Sequence, residues 1–291
     1  MAEPEDNPGI SAPSSGADLT AQLAEEWDAL ISLGGEIEDE DWEKPTPCPG
    51  WSVAAQYAHM IGTESMLLGR PNPEVDPGKP GHVRNDIGGF NEVWVAALAG
   101  RPREEVLADF AEVTAARREA LAAMTEADFA APSWTPVGKA DYRRFMQIRV
   151  FDCWVHEQDI RDALGRPGHE DGAAAEQSID EIVRALGFVL GKKVGLSDGQ
   201  SVVFELTGPV ERTLNVAVVD GRAKVVAALP AGQDSPTVGL ALSSAAFARL
   251  ACGRTDPAAV LAGSAGHVGG VQISGDEELG RRVVSNLAFT I

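Results

Sequence analysis

Apolar residues recur at helical spacing from Asp18 onward. Leu19, Leu23, Trp27, Leu30 and Ile31 stripe a first helix, which Gly34-Gly35 should stop. Ser52 is placed to cap a second helix, striped by Val53, Tyr57, Met60, Ile61, Leu67 and Leu68. Residues 70–89 are rich in Pro, Gly and Asn and read as a long loop, of a kind that often carries function. A third helical region follows in two pieces. Phe90, Val93, Trp94 and Ala97 precede Pro102, and Val106, Leu107, Phe110, Val113 and Leu121 follow it, with the proline in a first-turn position. A fourth helix is predicted from about Asp141 to Leu164, closed by Gly165-Arg166-Pro167-Gly168, and a fifth amphipathic stretch runs from Ile179 to Leu190.

After Gly195 the pattern changes to alternation of apolar and polar positions. SVVFELTG, RTLNVAVVDG, RAKVVAAL and TVGLAL read as strands, and Asp220-Gly221 is a strong hairpin turn signal. SSAAFARLACG reads as a short helix stopped by Gly253, and HVGGVQISG as a last strand. SGDE, from Ser274 to Glu277, reads as a capping box opening a terminal helix over 276–288. The expected organisation is a disordered acidic tail at 1–17, a helical domain at 18–170, a connecting helix at 171–194 and a small α+β domain at 195–291. The fold class is therefore α plus α+β.

Charge narrows the function. The 24 Lys+Arg stand against 44 Asp+Glu, a net charge of −20, which repels phosphate backbones and anionic lipid. Neither nucleic acid nor a membrane surface is an expected partner, and an anionic substrate would need a local arginine. The acidic opening MAEPEDNPGISAPSSGAD does not read as a secretory segment, and no window nears the ~20 apolar residues of a membrane helix, so a cytoplasmic protein is expected. Cys48, Cys153 and Cys252, odd in number and far apart, fit reduced thiols.

The candidate chemistry lies in 151–168, FDCWVHEQDIRDALGRPG. On a helical wheel Asp152 and Asp159 fall inside the apolar arc of Ile148, Phe151 and Val155, with His156 at its edge. Asp152 and His156, four apart, stand one above the other. Polar groups in such an arc need partners. One reading is a buried ion pair between Asp152 and His156, or between either aspartate and Arg149. The other is two ligands of a divalent metal, since a carboxylate and an imidazole one turn apart converge on one ion. Of the other histidines (59, 82, 169 and 267), only His59 lies on a rigid element able to face the fourth helix, although it sits off the main stripe of its own. Cys153 is a rival ligand by spacing but points about 100° from Asp152. Spacing alone leaves both readings open.

The segment DWEKPTPCPGWSVAAQYAHMIGTE (41–64) resembles the signature of the mycothiol-dependent maleylpyruvate isomerase family, in which a Trp-Pro-Thr-x-Cys-x-x-Trp loop leads into a helix bearing a metal-binding histidine. VFDCWVHEQDIRDALGRPG (150–168) resembles its second signature, an acidic residue and a histidine four apart. FARLACGRTDPAAVL and ISGDEELGRRVVSNLAFT are similar to the small, sterol-carrier-like α+β domain of actinobacterial members. The resemblance spans about residues 18–291 and implies a DinB-like four-helix bundle in which His59, Asp152 and His156 bind zinc. The isomerase carries Glu where this chain has Asp152, a ligand with shorter reach. The resemblance further implies mycothiol as thiol co-substrate. The reaction would be cis-trans isomerisation through thiol addition or transfer of the thiol to an electrophile, in a monomer or homodimer. Asp159 would orient a ligand histidine or pair with Arg161 or Arg149, and Arg84 and Arg254 are the candidates for a substrate carboxylate. The alternative is a metal-bearing protein that captures a small ligand without turnover.

Overall fold

The computed structural model describes residues 7–11 and 14–290, and these form two compact units, 14–169 and 170–290 with 7–11. The expected tail lies partly outside the described residues. Its residues 7–11 belong to the C-terminal unit, where the Ser11 amide donates to Asp180 at 3.2 Å and Arg212 reaches the Gly9 carbonyl at 3.4 Å. Among the described residues no helix is long and apolar enough to cross a membrane.

In the N-terminal unit, helix α1 (Gly16–Gly35) starts before Asp18 because Ser15 caps it. The Ser15 hydroxyl accepts from the Asp18 amide, and the Asp18 carboxylate accepts from the Ser15 amide at 2.8 Å. Helices α2 (Val53–Leu67), α3 (Asp86–Leu98) and α4 (Arg103–Ala122) follow. A short α5 (Glu126–Phe129) and an antiparallel hairpin, β1 (Pro132–Thr135) with β2 (Gly138–Asp141), lead into α6 (Tyr142–Leu164). Asp141 caps α6, its side chain accepting from the Arg144 amide, and Gly165 ends it at φ 64°. The pairs α1–α4, α1–α6, α2–α4 and α2–α6 all pack together, which closes a four-helix bundle. Leu23, Trp27, Tyr57, Met60, Phe110, Met146 and Val150 fill it, each 0% exposed. Burying each large apolar side chain contributes about 1.5–3 kcal/mol.

Helix α3 covers the outer side of α2, and Gly62 sets how closely. A Cβ built there would lie 2.4 Å from the Trp94 ring. Gly62→Ala should therefore strain the α2–α3 contact by about 1–3 kcal/mol, of which the better helix propensity of Ala returns up to about 1. Urea titration of the two proteins should show the variant unfolding earlier.

The C-terminal unit begins with α7 (Gly172–Phe188), continued by one π-helical turn to Val194. The stretch 171–194, set apart on sequence as a connector, belongs to this unit because its apolar stripe, Ile179, Ile182, Val183 and Leu186, is buried and α7 packs on the sheet. Strands β3 (Ser201–Thr207), β4 (Arg212–Val219), β5 (Arg222–Val226), β6 (Val238–Ser243) and β7 (Val271–Gly275) make a sheet of order β5-β4-β3-β6-β7. Only β3–β6 is parallel among these pairings. Asp220 and Gly221 sit at φ 53° and 72°, the paired positive values that a tight β4–β5 hairpin requires. Helices α8 (Ser244–Ala251), α9 (Pro257–Leu261) and α10 (Glu277–Ser285) complete the unit, with Phe204 of β3 edge-on to Phe247 of α8 at 5.4 Å. The cap of α10 is Asp276, which accepts from the Leu279 amide at 3.0 Å, and Ser274 belongs to β7.

Candidate metal centre

Helix α6 is 23 residues long, and its repeat places Asp152, His156 and Asp159 on one side, facing α2. Across from them stands His59. Its Nε2 lies 3.0 Å from Asp152 Oδ2, and His156 Nε2 lies 3.5 Å from Asp152 Oδ1. The two imidazole rings meet edge to face, centroids 4.8 Å apart. One ligand atom from each of the three residues falls within 4.8 Å of the others. Tetrahedral ligands around zinc sit about 3.3 Å apart, so small side-chain movements would close this set on an ion. Both histidines are buried, whereas the Asp152 side chain is 27% exposed and opens the cluster to solvent.

The surroundings fix each donor. His156 Nδ1 lies 3.2 Å from Asp159 Oδ2, which turns Nε2 toward Asp152. This is how a ligand histidine is commonly oriented from behind. Burial lowers the His59 pKa despite Asp152, which keeps the ring in the neutral form that binds metals. Its Nδ1 is buried and has no hydrogen-bond partner among the described residues. At His156 burial opposes protonation, but Asp152 and Asp159 outweigh it and the pKa is raised. At Asp152 burial is likewise overcome, here by His59, Arg149 and His156, and the carboxyl is held well below its usual range.

Arg149 also donates to Asp152 Oδ2, so the ion pair anticipated for an aspartate and Arg149 exists beside the histidines. Arg149 belongs to a wider buried network. Its Nη2 donates to Glu64 Oε1 at 2.7 Å and to Cys153 Sγ at 3.2 Å, and Arg117 Nε donates to Glu64 Oε2 at 2.9 Å. Cys153 is thus engaged behind the cluster, and burial pushes its thiol pKa up.

The loop 45–51 roofs the centre. Pro45 bridges to Ser52, the Thr46 amide donates to the Trp51 carbonyl at 3.0 Å, and Gln56 ties Thr46 to α2 at 2.7 Å. This tight turn sets the Trp51 ring 5.0 Å from His59 and 5.5 Å from His156. Glu92 of α3 anchors it, accepting from Trp51 Nε1 at 2.7 Å, with His82 Nε2 also 2.7 Å from that oxygen. The same loop brings Cys48 into ligand range of His156 and Asp159.

His59, Asp152 and His156 are therefore gathered, and Asp159 stands behind His156 rather than at Arg161, which pairs with Glu157. Arg84 is exposed on the loop before α3 and donates to the Gly81 carbonyl of its own loop. Arg254 belongs to the C-terminal unit and donates to the Cys252 carbonyl at 3.0 Å. The support from Cys48, Trp51, Glu64 and Glu92 is not read from spacing, although Cys48 and Trp51 are part of the 41–64 signature.

The N-terminal unit is thus a helical-bundle protein of the kind that gathers metal-ligating side chains between facing helices, joined in this chain to a small α+β unit. Residues 23–161, most of the N-terminal unit, match the family model described as the mycothiol maleylpyruvate isomerase N-terminal domain. The crystal structure of the mycothiol-dependent maleylpyruvate isomerase covers 90% of this chain and 93% of its own, at a TM-score of 0.55 and 14% identity. A histidine-to-alanine mutant of that enzyme aligns equally well, at 16% identity. Both show the shared fold. Two uncharacterized proteins, from two Mycobacterium tuberculosis strains, are 27% identical over 148 residues, 50% of this chain. The match spans 56%, about half, of the length of those relatives.

Proposed function

We propose that this protein is a zinc-dependent enzyme that uses a small thiol, mycothiol, in cis-trans isomerisation of a maleylpyruvate-like substrate or in transfer of the thiol to an electrophile. One observation carries the reading: two buried imidazoles and a partly exposed carboxylate from facing helices converge within ligand range. The Asp159 carboxylate behind His156 and the burial that keeps the His59 ring neutral both fit a metal centre. A zinc ion with three protein donors supplies an open position and Lewis acidity that favours the thiolate form of a small thiol at neutral pH. The residues themselves do the positioning. Arg149 holds Asp152 from one side, and Trp51 keeps water from the imidazole faces. The exposed edge of Asp152 leaves the approach for thiol and electrophile.

The test offers zinc-loaded protein mycothiol with maleylpyruvate and a panel of electrophiles, following isomerisation and thiol consumption. Turnover that a chelator abolishes and zinc restores is the expected result. Metal-dependent thiol binding without turnover on any substrate would instead identify a ligand-capturing protein.

A further inference from the structure

A second cluster in the N-terminal unit stands apart from that centre. Glu157 follows His156 on α6 and so points about 100° round the helix from it, toward α1. There it meets Glu26, and both side chains are 0% exposed. His169, beyond the end of α6, completes the group, its Nδ1 2.6 Å from Glu157 Oε2 and 3.5 Å from Glu26 Oε1. The remaining Glu157 oxygen is bound by Arg161 at 2.7 Å, and Glu25 lies at the rim, 3.9 Å from His169 Nε2.

Glu26 is the anomaly. Neither of its oxygens accepts a hydrogen bond among the described residues. A carboxylate removed from water without a donor needs a proton or a cation. Burial foremost, then the neighbouring Glu157, pushes the Glu26 pKa well above the usual carboxylate range. The donor set speaks for the cation. Two carboxylates from facing helices and one imidazole present ligand atoms within 4.8 Å of one another, and this mixed O/N set suits a divalent first-row metal. The two buried glutamates against Arg161 leave one formal negative charge, which favours a bound cation.

The imidazole is held in place for the purpose. His169 has φ 53°, a region non-glycine residues seldom adopt, and its carbonyl accepts from Trp154 Nε1 at 2.9 Å and from Gln158 Nε2 at 3.2 Å. At 18% exposure its side chain also gives an ion a way in.

We propose that Glu26, Glu157 and His169 form a second divalent-cation site, which ties α1 to α6. The experiment strips the protein with chelator, titrates it with Zn2+ and counts bound equivalents by elemental analysis. Glu26→Gln and His169→Ala should each bind one equivalent fewer than wild type, and His156→Ala should keep the equivalent those two lose. Unchanged stoichiometry in both variants overturns the site and leaves a carboxylic acid and a carboxylate sharing a proton. Loss of all zinc with His156→Ala alone overturns it as well. His169 lies at the rim, so its variant decides the matter if Glu26→Gln fails to fold. Failure of the His59 centre is distinguishable, because it removes only the equivalent that His156→Ala takes away.

Discussion

His156→Ala should cost the protein one equivalent of bound divalent metal and all thiol-dependent turnover. Losing an outer partner of a ligand histidine weakens metal binding about 10–100-fold, so removing the imidazole itself should weaken it by more than about 100-fold. The geometry ranks the neighbours. Asp159→Asn keeps the ring but loses the carboxylate 3.2 Å from Nδ1, and should fall in that 10–100-fold range. Cys153→Ser should change metal affinity little, since Sγ is turned toward Arg149. Competition against a chromophoric chelator measures all three. Undiminished zinc affinity in His156→Ala would reduce the cluster to the ion pair between Arg149 and Asp152.

How far these features are legible in the sequence depends on how locally they are specified. The strands of the C-terminal unit are short apolar-rich runs, with β6 alternating cleanly, and Asp220-Gly221 marks its own turn, so both are readable from a few neighbouring residues. The Asp152–His156 pair is readable because one helix sets its spacing. His59 is harder. It sits off the apolar stripe of α2, yet it is buried, because α2 is enclosed by α3, α4 and α6 and is covered nearly all round. A one-stripe reading fails for such a helix. The hairpin of β1 and β2 is hidden for the opposite reason: it is short and exposes Trp134 (55%) and Val137 (64%). At α10, Ser274 has the spacing of a cap, but pairing with β6 carries the strand through it and leaves Asp276 at the helix start. Glu26 with His169, and Glu64 with its arginines, meet only through the fold; Arg149 is 85 positions from Glu64.

Glu64 carries the largest expected effect on stability. Its carboxylate is the shared counter-ion of two guanidinium groups, Arg117 and Arg149, and all three side chains are at most 3% exposed. Forming such a network from water returns little net energy, because desolvation offsets most of the attraction. Breaking it is another matter, since the partners stay buried and lose their compensation. Glu64→Gln should therefore destabilise the N-terminal unit by about 3–5 kcal/mol, although the side chain barely changes shape. All six tryptophans lie between Trp27 and Trp154, so urea unfolding followed by tryptophan fluorescence reports this unit selectively. A second effect is expected at the candidate metal centre. Arg149 would then spend its charge on Asp152 alone, making that carboxylate a poorer ligand, so zinc affinity should fall with stability. Tyr142, which accepts from Arg117 at 3.0 Å, offers a control, because Tyr142→Phe removes a neutral partner and should cost only about 1 kcal/mol. If Glu64→Gln proved as mild as that control, the two arginines would be reaching solvent, and the buried network that anchors Asp152 would not exist.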